Sequence, residues 1–121
     1  MANVVAFVPD LLFGSNVQGA LAVGGHQVDL VGAPAGLELA LRADGVDVLV
    51  LDLTDAAEQR LALFGGLRRD GVLASIKTLA FYSHVDAEVR GLAEAAGVDL
   101  VVPRSRMHRE GAALVAGLAA G

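Results

Sequence analysis

The chain contains neither cysteine nor tryptophan, and its only aromatic side chains are one tyrosine and four phenylalanines. Without cysteine the fold has no disulfide framework, and a metal site would need ligands other than thiolate. Since 55% of the residues are hydrophobic but only 4% are aromatic, the core must be built from Val, Leu and Ala. A chain of 121 residues has room for one domain, so we expect a single domain over residues 1–121.

Positive charge is also scarce, with nine Lys and Arg residues against fourteen Asp and Glu residues and a formal net charge of −5. This balance argues against a general nucleic-acid binder, which needs a basic face that displaces counterions. No apolar run approaches the roughly 18 residues that a membrane-spanning helix needs, and no basic segment precedes the first apolar run, as it would in a signal peptide. We therefore expect a cytoplasmic protein with neither nucleic acid nor membrane as a partner.

Five short apolar runs alternate with five segments in which apolar residues recur at helical spacing. The first helix is predicted to begin at Ser15, an N-cap with Gln18 three positions on, and the second at Pro34, because proline suits the first helical turn. The predicted strands cover residues 4–8, 27–31, 46–51, 78–82 and 100–102, and the last three predicted helices cover residues 56–69, 86–96 and 108–120.

The regular alternation of strands and helices predicts a parallel sheet covered by helices on both faces. The first run is continuously apolar and the third nearly so, as central strands are, whereas the second alternates in Val28-Asp29-Leu30, as an edge strand does. This favours the strand order 2-1-3-4-5 over the dinucleotide-binding order, which would put the third strand at an edge. The predicted fold class is therefore α/β: a flavodoxin-like, three-layer α/β/α domain around a five-stranded parallel sheet.

Two acidic residues follow neighbouring central strands of this predicted sheet. Ligands of open parallel sheets bind beyond the carboxyl ends of the strands, where the strand order reverses. Asp10 follows the first strand and Asp52 the third, so both belong to that crevice. Two carboxylates held close together repel unless a cation lies between them, and oxygen ligands in an open site suit Mg²⁺. The sequence thus predicts Asp10 and Asp52 as Mg²⁺ ligands; the alternative is that each aspartate only caps the helix after it.

The segment Arg104-Ser105-Arg106-Met107-His108-Arg109 is the densest positive stretch of the chain. It precedes or opens the last predicted helix, whose N-terminus favours anions, and two arginines can hold a phosphate or carboxylate bidentately. Together with Ser83 and His84, which follow the fourth strand, Arg104 and Arg106 are predicted to bind a phosphoryl group or another anion. The alternative is a solvated surface loop whose arginines pair with Asp55, Asp86 or Glu110.

The apolar run Val48-Leu49-Val50-Leu51 leads into Asp52, and the fourth predicted strand is followed by Ser83-His84-Val85-Asp86-Ala87-Glu88-Val89. These residues, and the intervals between the strand ends, resemble the receiver (CheY-like) domain of response regulators over essentially the whole chain. The resemblance implies that Asp52 takes a phosphoryl group from a kinase or small phosphodonor, that Asp10 helps to hold Mg²⁺, and that Ser83 binds the phosphoryl group. It also implies an output surface on the fourth helix, fifth strand and fifth helix that repacks in response.

Four positions depart from the receiver pattern. Asp10 is a single acid where receivers have two adjacent acids, and Pro103-Arg104 stands where receivers have Lys followed by Pro. Val101 occupies the place of an aromatic switch residue, and Asp55-Ala56 stands where Met-Pro is common. Because arginine is a broad planar fork rather than a compact ammonium, we expect a degenerate site in which metal binding and switching are both weakened.

No nucleophile–base pair or other enzyme signature is visible, so the chain is predicted not to be an enzyme. The leading hypothesis is a stand-alone, receiver-like module of signal transduction, either phosphorylated on Asp52 or acting as a pseudo-receiver without phosphorylation. The alternative, from another class, is a module that binds a phosphate-containing or anionic small molecule at the arginine-lined edge of the sheet. In the leading hypothesis the partner is a histidine kinase, a downstream protein or a second copy, and the apolar docking residues are Val85, Leu114, Val115 and Leu118.

Overall fold

Five parallel strands form a single sheet in the computed structural model, which describes residues 1–121. The strands are β1 (Asn3–Phe7), β2 (Gln27–Val31), β3 (Val48–Asp52), β4 (Lys77–Tyr82) and β5 (Leu100–Pro103). Their order across the sheet is β2-β1-β3-β4-β5, and every neighbouring pair is parallel. The predicted flavodoxin-like fold class and strand order are therefore confirmed.

One helix follows each strand. The helices are α1 (Leu11–Val23), α2 (Pro34–Leu41), α3 (Ala57–Arg69), α4 (Ala87–Ala96) and α5 (Arg104–Ala120). α1 and α5 pack together on one face of the sheet, and α2, α3 and α4 cover the other, which gives the three layers expected for this class. None of the five helices has the combination of length and apolar character that crossing a membrane requires.

Alternate residues of the central strands point into the two helical layers. Val48 and Val50 of β3 belong to the cluster beneath α1 and α5, whereas Leu49 and Leu51 belong to the cluster beneath α2, α3 and α4. All five residues of β3 are buried, but in β2 only Val31 is. The continuous apolar run marks the centre of the sheet, and the alternating run its edge, because a strand covered on both faces has no solvent side.

The first helix begins earlier than predicted. Oδ1 of Asp10 accepts a hydrogen bond from the amide of Phe13 at 2.8 Å, which makes Asp10 the N-cap and Leu11 the first residue of α1. The predicted cap at Ser15 is therefore wrong, and that residue lies inside the helix. An aspartate three residues before an otherwise unpaired amide satisfies it as well as a serine does, so the earlier of the two capping sequences prevails.

The last helix also begins earlier, at Arg104 rather than at residue 108, directly after β5. The polar run that suggested a loop is helical because Arg and Met have high helix propensity, and because Met107 is buried in the core cluster that α5 covers. Val115 is completely buried, and Leu114 and Leu118 pack against the same core cluster. The predicted docking role is therefore wrong for Val115, and for Leu114 and Leu118, which are partly exposed, it stays a prediction.

A buried histidine ties three elements together at the amino edge of the sheet, opposite to the carboxyl ends of the strands. His26 Nδ1 accepts a hydrogen bond from the amide of Ala2 at 3.0 Å, and its Nε2 lies 3.0 Å from the carbonyl oxygen of Ala112. Since Nδ1 accepts, the ring proton is on Nε2 and donates to that carbonyl. His26 thus has a structural role that joins β1, the turn before β2, and α5.

Candidate functional site

Asp52 is the last residue of β3 and one of only three buried polar residues in the chain. Its side chain folds back on the following loop: Oδ1 accepts hydrogen bonds from the amide of Thr54 at 2.8 Å and from the Thr54 hydroxyl at 2.5 Å. The first of these is the local turn that aspartate forms with the amide two residues ahead. With 3% of its surface exposed, Asp52 presents little of its carboxylate to solvent.

A positive charge from α3 lies beside this carboxylate. Arg60 Nη1 is 3.7 Å from Oδ2 of Asp52 and donates a hydrogen bond to the main-chain carbonyl oxygen of Asp52 at 3.0 Å. The Arg60 side chain is mostly buried, and its guanidinium lies 6.0 Å from the centroid of the Phe7 ring. Both oxygens of the Asp52 carboxylate therefore have partners within the chain, namely Thr54 for Oδ1 and Arg60 for Oδ2.

Asp10, the other predicted metal ligand, is exposed and serves as the cap of α1. The alternative that the two aspartates are helix caps is thus confirmed for Asp10. It is wrong for Asp52, because the N-cap of α3 is Ala56, which has a left-handed backbone and no side-chain acceptor. The two aspartates have different roles: Asp10 caps the start of α1, and Asp52 joins a strand, a loop and α3.

These carboxylates do not fit a magnesium site. Mg²⁺ needs carboxylate oxygens that are free for the ion and its water shell, but Asp52 is hydrogen-bonded to Thr54 and paired with Arg60. A guanidinium 3.7 Å from Oδ2 would also repel a divalent cation bound there. No group of three or more His, Asp or Glu side chains in the chain is arranged to hold a metal ion.

Ser83 and His84 follow β4 at the same edge of the sheet as Asp52. The carbonyl oxygen of Ser83 accepts a hydrogen bond from the amide of Asp86 at 2.8 Å, which closes a turn before α4. His84 is exposed. In the strand register Asp52 lies beside Phe81, so Ser83 is two residues beyond this neighbour. Their place at the carboxyl edge agrees with the sequence analysis, and their binding of an anion stays a prediction.

The two arginines predicted to bind an anion have partners within the chain. The Arg104 guanidinium stacks over the ring of Phe13, 3.9 Å from its centroid, and Phe13 in turn meets Phe81 edge-on, with 5.3 Å between the ring centroids. Arg106 forms an ion pair with Glu110 at 3.4 Å on the exposed surface of α5. The alternative that the basic segment pairs with Glu110 is confirmed, although the segment is helical and not a loop.

Arg60 is the residue of this site that the sequence analysis missed. It lies inside α3, eight positions after Asp52, whereas the strand ends were the places searched for function. Its signal is its position beside the buried stripe of α3, since Leu61 and Phe64 are both buried. A charged residue at the border of such a stripe reaches a buried partner or extends to solvent, and spacing alone does not decide between the two.

Comparison with protein-family models and with curated proteins finds no match for this chain. Comparison with solved structures finds similarity to a response regulator from Thermotoga maritima at a TM-score of 0.83 and 16% identity, covering 100% of this chain and 99% of that one. The receiver domain of the TMAO respiratory system response regulator TorR gives a TM-score of 0.82 and 21% identity, with coverages of 98% and 96%. An atypical orphan response regulator, described as having a phosphorylation-independent regulatory mechanism, gives a TM-score of 0.76 and 16% identity, covering 98% of this chain and 95% of that one.

These similarities establish the fold. The identities are low and the coverage is nearly complete in both directions, so the chain has the architecture of a response-regulator receiver domain from end to end. Fold alone does not carry function from one protein to another, because function depends on the particular residues of the site. The role of this chain must therefore be argued from Asp52, Thr54 and Arg60.

Proposed function

We propose that this chain is a receiver-like protein-interaction module of signal transduction that acts without phosphorylation of Asp52. The observation that carries the proposal is the engagement of both Asp52 carboxylate oxygens, one by Thr54 and the other by Arg60. A phosphoryl acceptor must present a free oxygen in line with the phosphorus of the donor, and the charge of the transferred group is normally neutralised by a metal ion. The contacts of Asp52 with Thr54 and Arg60 oppose both requirements, and they are the support for the proposal.

The ion pair also affects the chemistry of the carboxylate. Hydrogen bonds and a cation beside Asp52 lower the energy of its lone pairs, and attack on phosphorus would have to break these contacts. The ion pair instead holds the end of β3 against α3, and the hydrogen bonds from Thr54 hold the loop after β3 against Asp52. Together these contacts favour one fixed conformation of this edge of the sheet. A structure that presents a fixed surface suits a binding module, and no reaction on the chain is needed for this role.

One of the structural neighbours supports this proposal by analogy. The atypical orphan response regulator, which matches this chain over 98% of its length, is described as using a phosphorylation-independent mechanism. The departures noted in the sequence point in the same direction, since the single acid Asp10 caps α1 and Arg104 stacks on Phe13. Asp10, Asp52 and Arg104, three of the residues that the resemblance or the sequence pattern assigns to this edge, thus each have a structural partner in this chain.

The test is to incubate the protein with Mg²⁺ and acetyl phosphate, and separately with Mg²⁺ and beryllium fluoride, and to measure intact mass and amide chemical shifts. A receiver domain that accepts phosphoryl groups from acetyl phosphate serves as the positive control. We expect no phosphoryl adduct and no shift of the amides around Asp52. An adduct that disappears in Asp52→Asn would overturn the proposal and establish the phosphorylated receiver that the sequence resemblance implies.

The alternative of a bound anionic small molecule has no observation in its favour, because Arg104 and Arg106 are each paired within the chain. It stays a prediction with its own check. Addition of inorganic phosphate or ADP should leave the thermal midpoint of unfolding unchanged. A rise in the midpoint that Arg104→Ala abolishes would revive this alternative.

A further inference from the structure

A groove opens between α3 and α4 at the carboxyl edge of the sheet, with a volume of about 690 Å³. The two helices are fastened at their C-terminal ends, where Arg68 Nη1 donates a hydrogen bond to the carbonyl oxygen of Ala96 at 2.8 Å. No hydrogen bond or ion pair links their N-terminal ends, and the groove lies there. The groove is lined by residues 56–59 from the start of α3 and by residues 85–89 and 92 from the start of α4.

The groove has an apolar floor that is open to solvent. Val85 is 75% exposed and Leu92 is 48% exposed, and both are among the few large apolar side chains of the chain with such exposure. Val89 lies between them and packs against the core cluster beneath α3 and α4. Val89 and Leu92 are three residues apart and lie on one side of α4, while Val85 lies in the turn before the helix and lines the same groove. Exposed apolar groups that adjoin one another in a groove are typical of a binding surface.

The rim of the groove is acidic. Glu58, Asp86 and Glu88 line it, and no Lys, Arg or His contributes to it. None of these three carboxylates lies within 4.0 Å of a basic nitrogen; of the fourteen acidic residues of the chain, only Glu38, Asp52, Glu94 and Glu110 do. The groove thus combines an apolar floor with three carboxylates that form no ion pair within the chain.

We propose that this groove binds a basic amphipathic helix of a partner protein, with apolar side chains on the floor and Lys or Arg against the rim. The inference rests on the proposed function, since it names the partner of a protein-interaction module. An amphipathic helix docks in an apolar groove through side chains on one face, and rim charges of opposite sign orient it and speed its association. A second copy fits less well, because the basic segment of α5 is engaged with Phe13 and Glu110.

The probe is a synthetic 14-residue helical peptide of Leu and Lys with one apolar face, added to ¹⁵N-labelled protein at about 0.1 M salt, where rim charges still act. The matched peptide has the same Leu positions with Glu in place of every Lys. We expect the Lys peptide, but not the Glu peptide, to shift the amides of residues 56–59 and 85–92. Leu92→Ser should weaken binding about tenfold without changing any charge, and a tenfold change is easily resolved by titration.

Net charge must be separated from the groove itself. Glu88→Lys reverses a rim charge, and Asp44→Lys makes the same change at an exposed, unpaired acid beyond the amino edge of the sheet. We expect Glu88→Lys to weaken binding of the Lys peptide at least several-fold more than Asp44→Lys does. Equal effects, or shifts scattered over the whole surface, would show attraction to net charge alone and overturn the proposal.

Three further outcomes complete the test. If sedimentation shows a dimer that Leu92→Ser converts to a monomer, the groove is covered by a second copy and the proposal is wrong. Failure of the peptide to bind, with Asp52 unmodified by acetyl phosphate, would reject this partner and leave the proposed function standing. Phosphorylation of Asp52 together with peptide binding would reject the proposed function and leave the groove as a docking site.

Discussion

Arg60 of α3 reaches across the helical layer to Asp52 at the end of β3 and contacts both its carboxylate and its carbonyl oxygen. The pair is nearly closed to solvent, with 14% of the Arg60 side chain and 4% of the Asp52 side chain exposed. A buried ion pair is weak evidence for added stability, because desolvation of the two charges offsets their attraction. The pair instead fixes the position of the α3 side chain Arg60 relative to the end of β3, because both charges are buried and each is the other's partner.

Replacement of Arg60 should destabilise the domain by leaving Oδ2 of Asp52 buried without a partner. We expect Arg60→Met, which keeps much of the apolar stem, to lower the free energy of unfolding by about 1–3 kcal/mol. Urea denaturation followed by circular dichroism measures this change.

The double variant Asp52→Asn/Arg60→Met provides the control, because a neutral amide needs no opposing charge. It should be less destabilised than the sum of the two single variants, with a coupling energy above about 0.5 kcal/mol. If the two effects add to within about 0.5 kcal/mol, the two side chains do not interact, and the proposed role of Arg60 is wrong.

The hydroxyl of Thr54 should contribute separately from its methyl group. Thr54→Val removes the hydrogen bond to Oδ1 and keeps the shape, and we expect a loss of about 1 kcal/mol. Thr54→Ser keeps the hydroxyl and should cost less than Thr54→Val in the same denaturation experiment. If serine costs as much as valine, packing of the methyl group and not the hydrogen bond holds this loop.

Sequence patterns predicted the sheet well because burial dictates composition along a strand. The continuous run of β3 and the alternation of β2 are direct consequences of central and edge positions, and these two runs alone favoured the correct strand order. Helix starts were less secure. Asp10 and Ser15 are both good caps, and which of them is used depends on where the chain leaves β1.

The candidate site was predicted in its location but not in its contacts. Parallel topology brings Asp52 and Ser83 to one edge of the sheet whatever their side chains do, so that placement follows from the strand order. The orientation of Arg60 toward Asp52, and of Arg104 toward Phe13, depends on packing between layers. Local spacing contains no information about such contacts, and it is on these contacts that the proposed function rests.

The competing caps of α1 allow a direct comparison. Asp10→Ala removes the acceptor of the Phe13 amide and should cost about 1 kcal/mol of stability, the usual effect of losing an N-cap. Ser15→Ala, at an exposed position inside the helix, should cost nothing or stabilise slightly, because alanine has the higher helix propensity. Thermal and urea unfolding of both variants would check this. The reverse order of effects would mean that α1 begins at Ser15 as the sequence pattern suggested.

Substitution by alanine should change the stability of the domain in opposite directions at Gly91 within α4 and at Gly97, the C-cap of α4. Gly97 ends the helix with a φ of 99°, and a Cβ atom there would overlap the Arg68 guanidinium that fastens α3 to α4. Gly97→Ala should therefore destabilise the domain by about 1–2 kcal/mol, the cost of a left-handed alanine before any displacement of Arg68 is added. Gly91 lies within α4, and a Cβ there would meet nothing within 4 Å, so Gly91→Ala should stabilise by about 0.5–1 kcal/mol.

The displacement of Arg68 can be separated from the backbone strain. In an Arg68→Ala background the overlap is absent, so Gly97→Ala should cost less there than in the original chain, and the difference measures the contact between the guanidinium and the helix end. Hydrogen exchange of the α4 amides should rise in Gly97→Ala and in Arg68→Ala alike, because each variant loosens the fastened end of the α3–α4 pair. If Gly97→Ala lowers the free energy of unfolding equally in both backgrounds, Arg68 moves aside freely. The hydrogen bond from Arg68 to the Ala96 carbonyl oxygen then does not hold the two helices together.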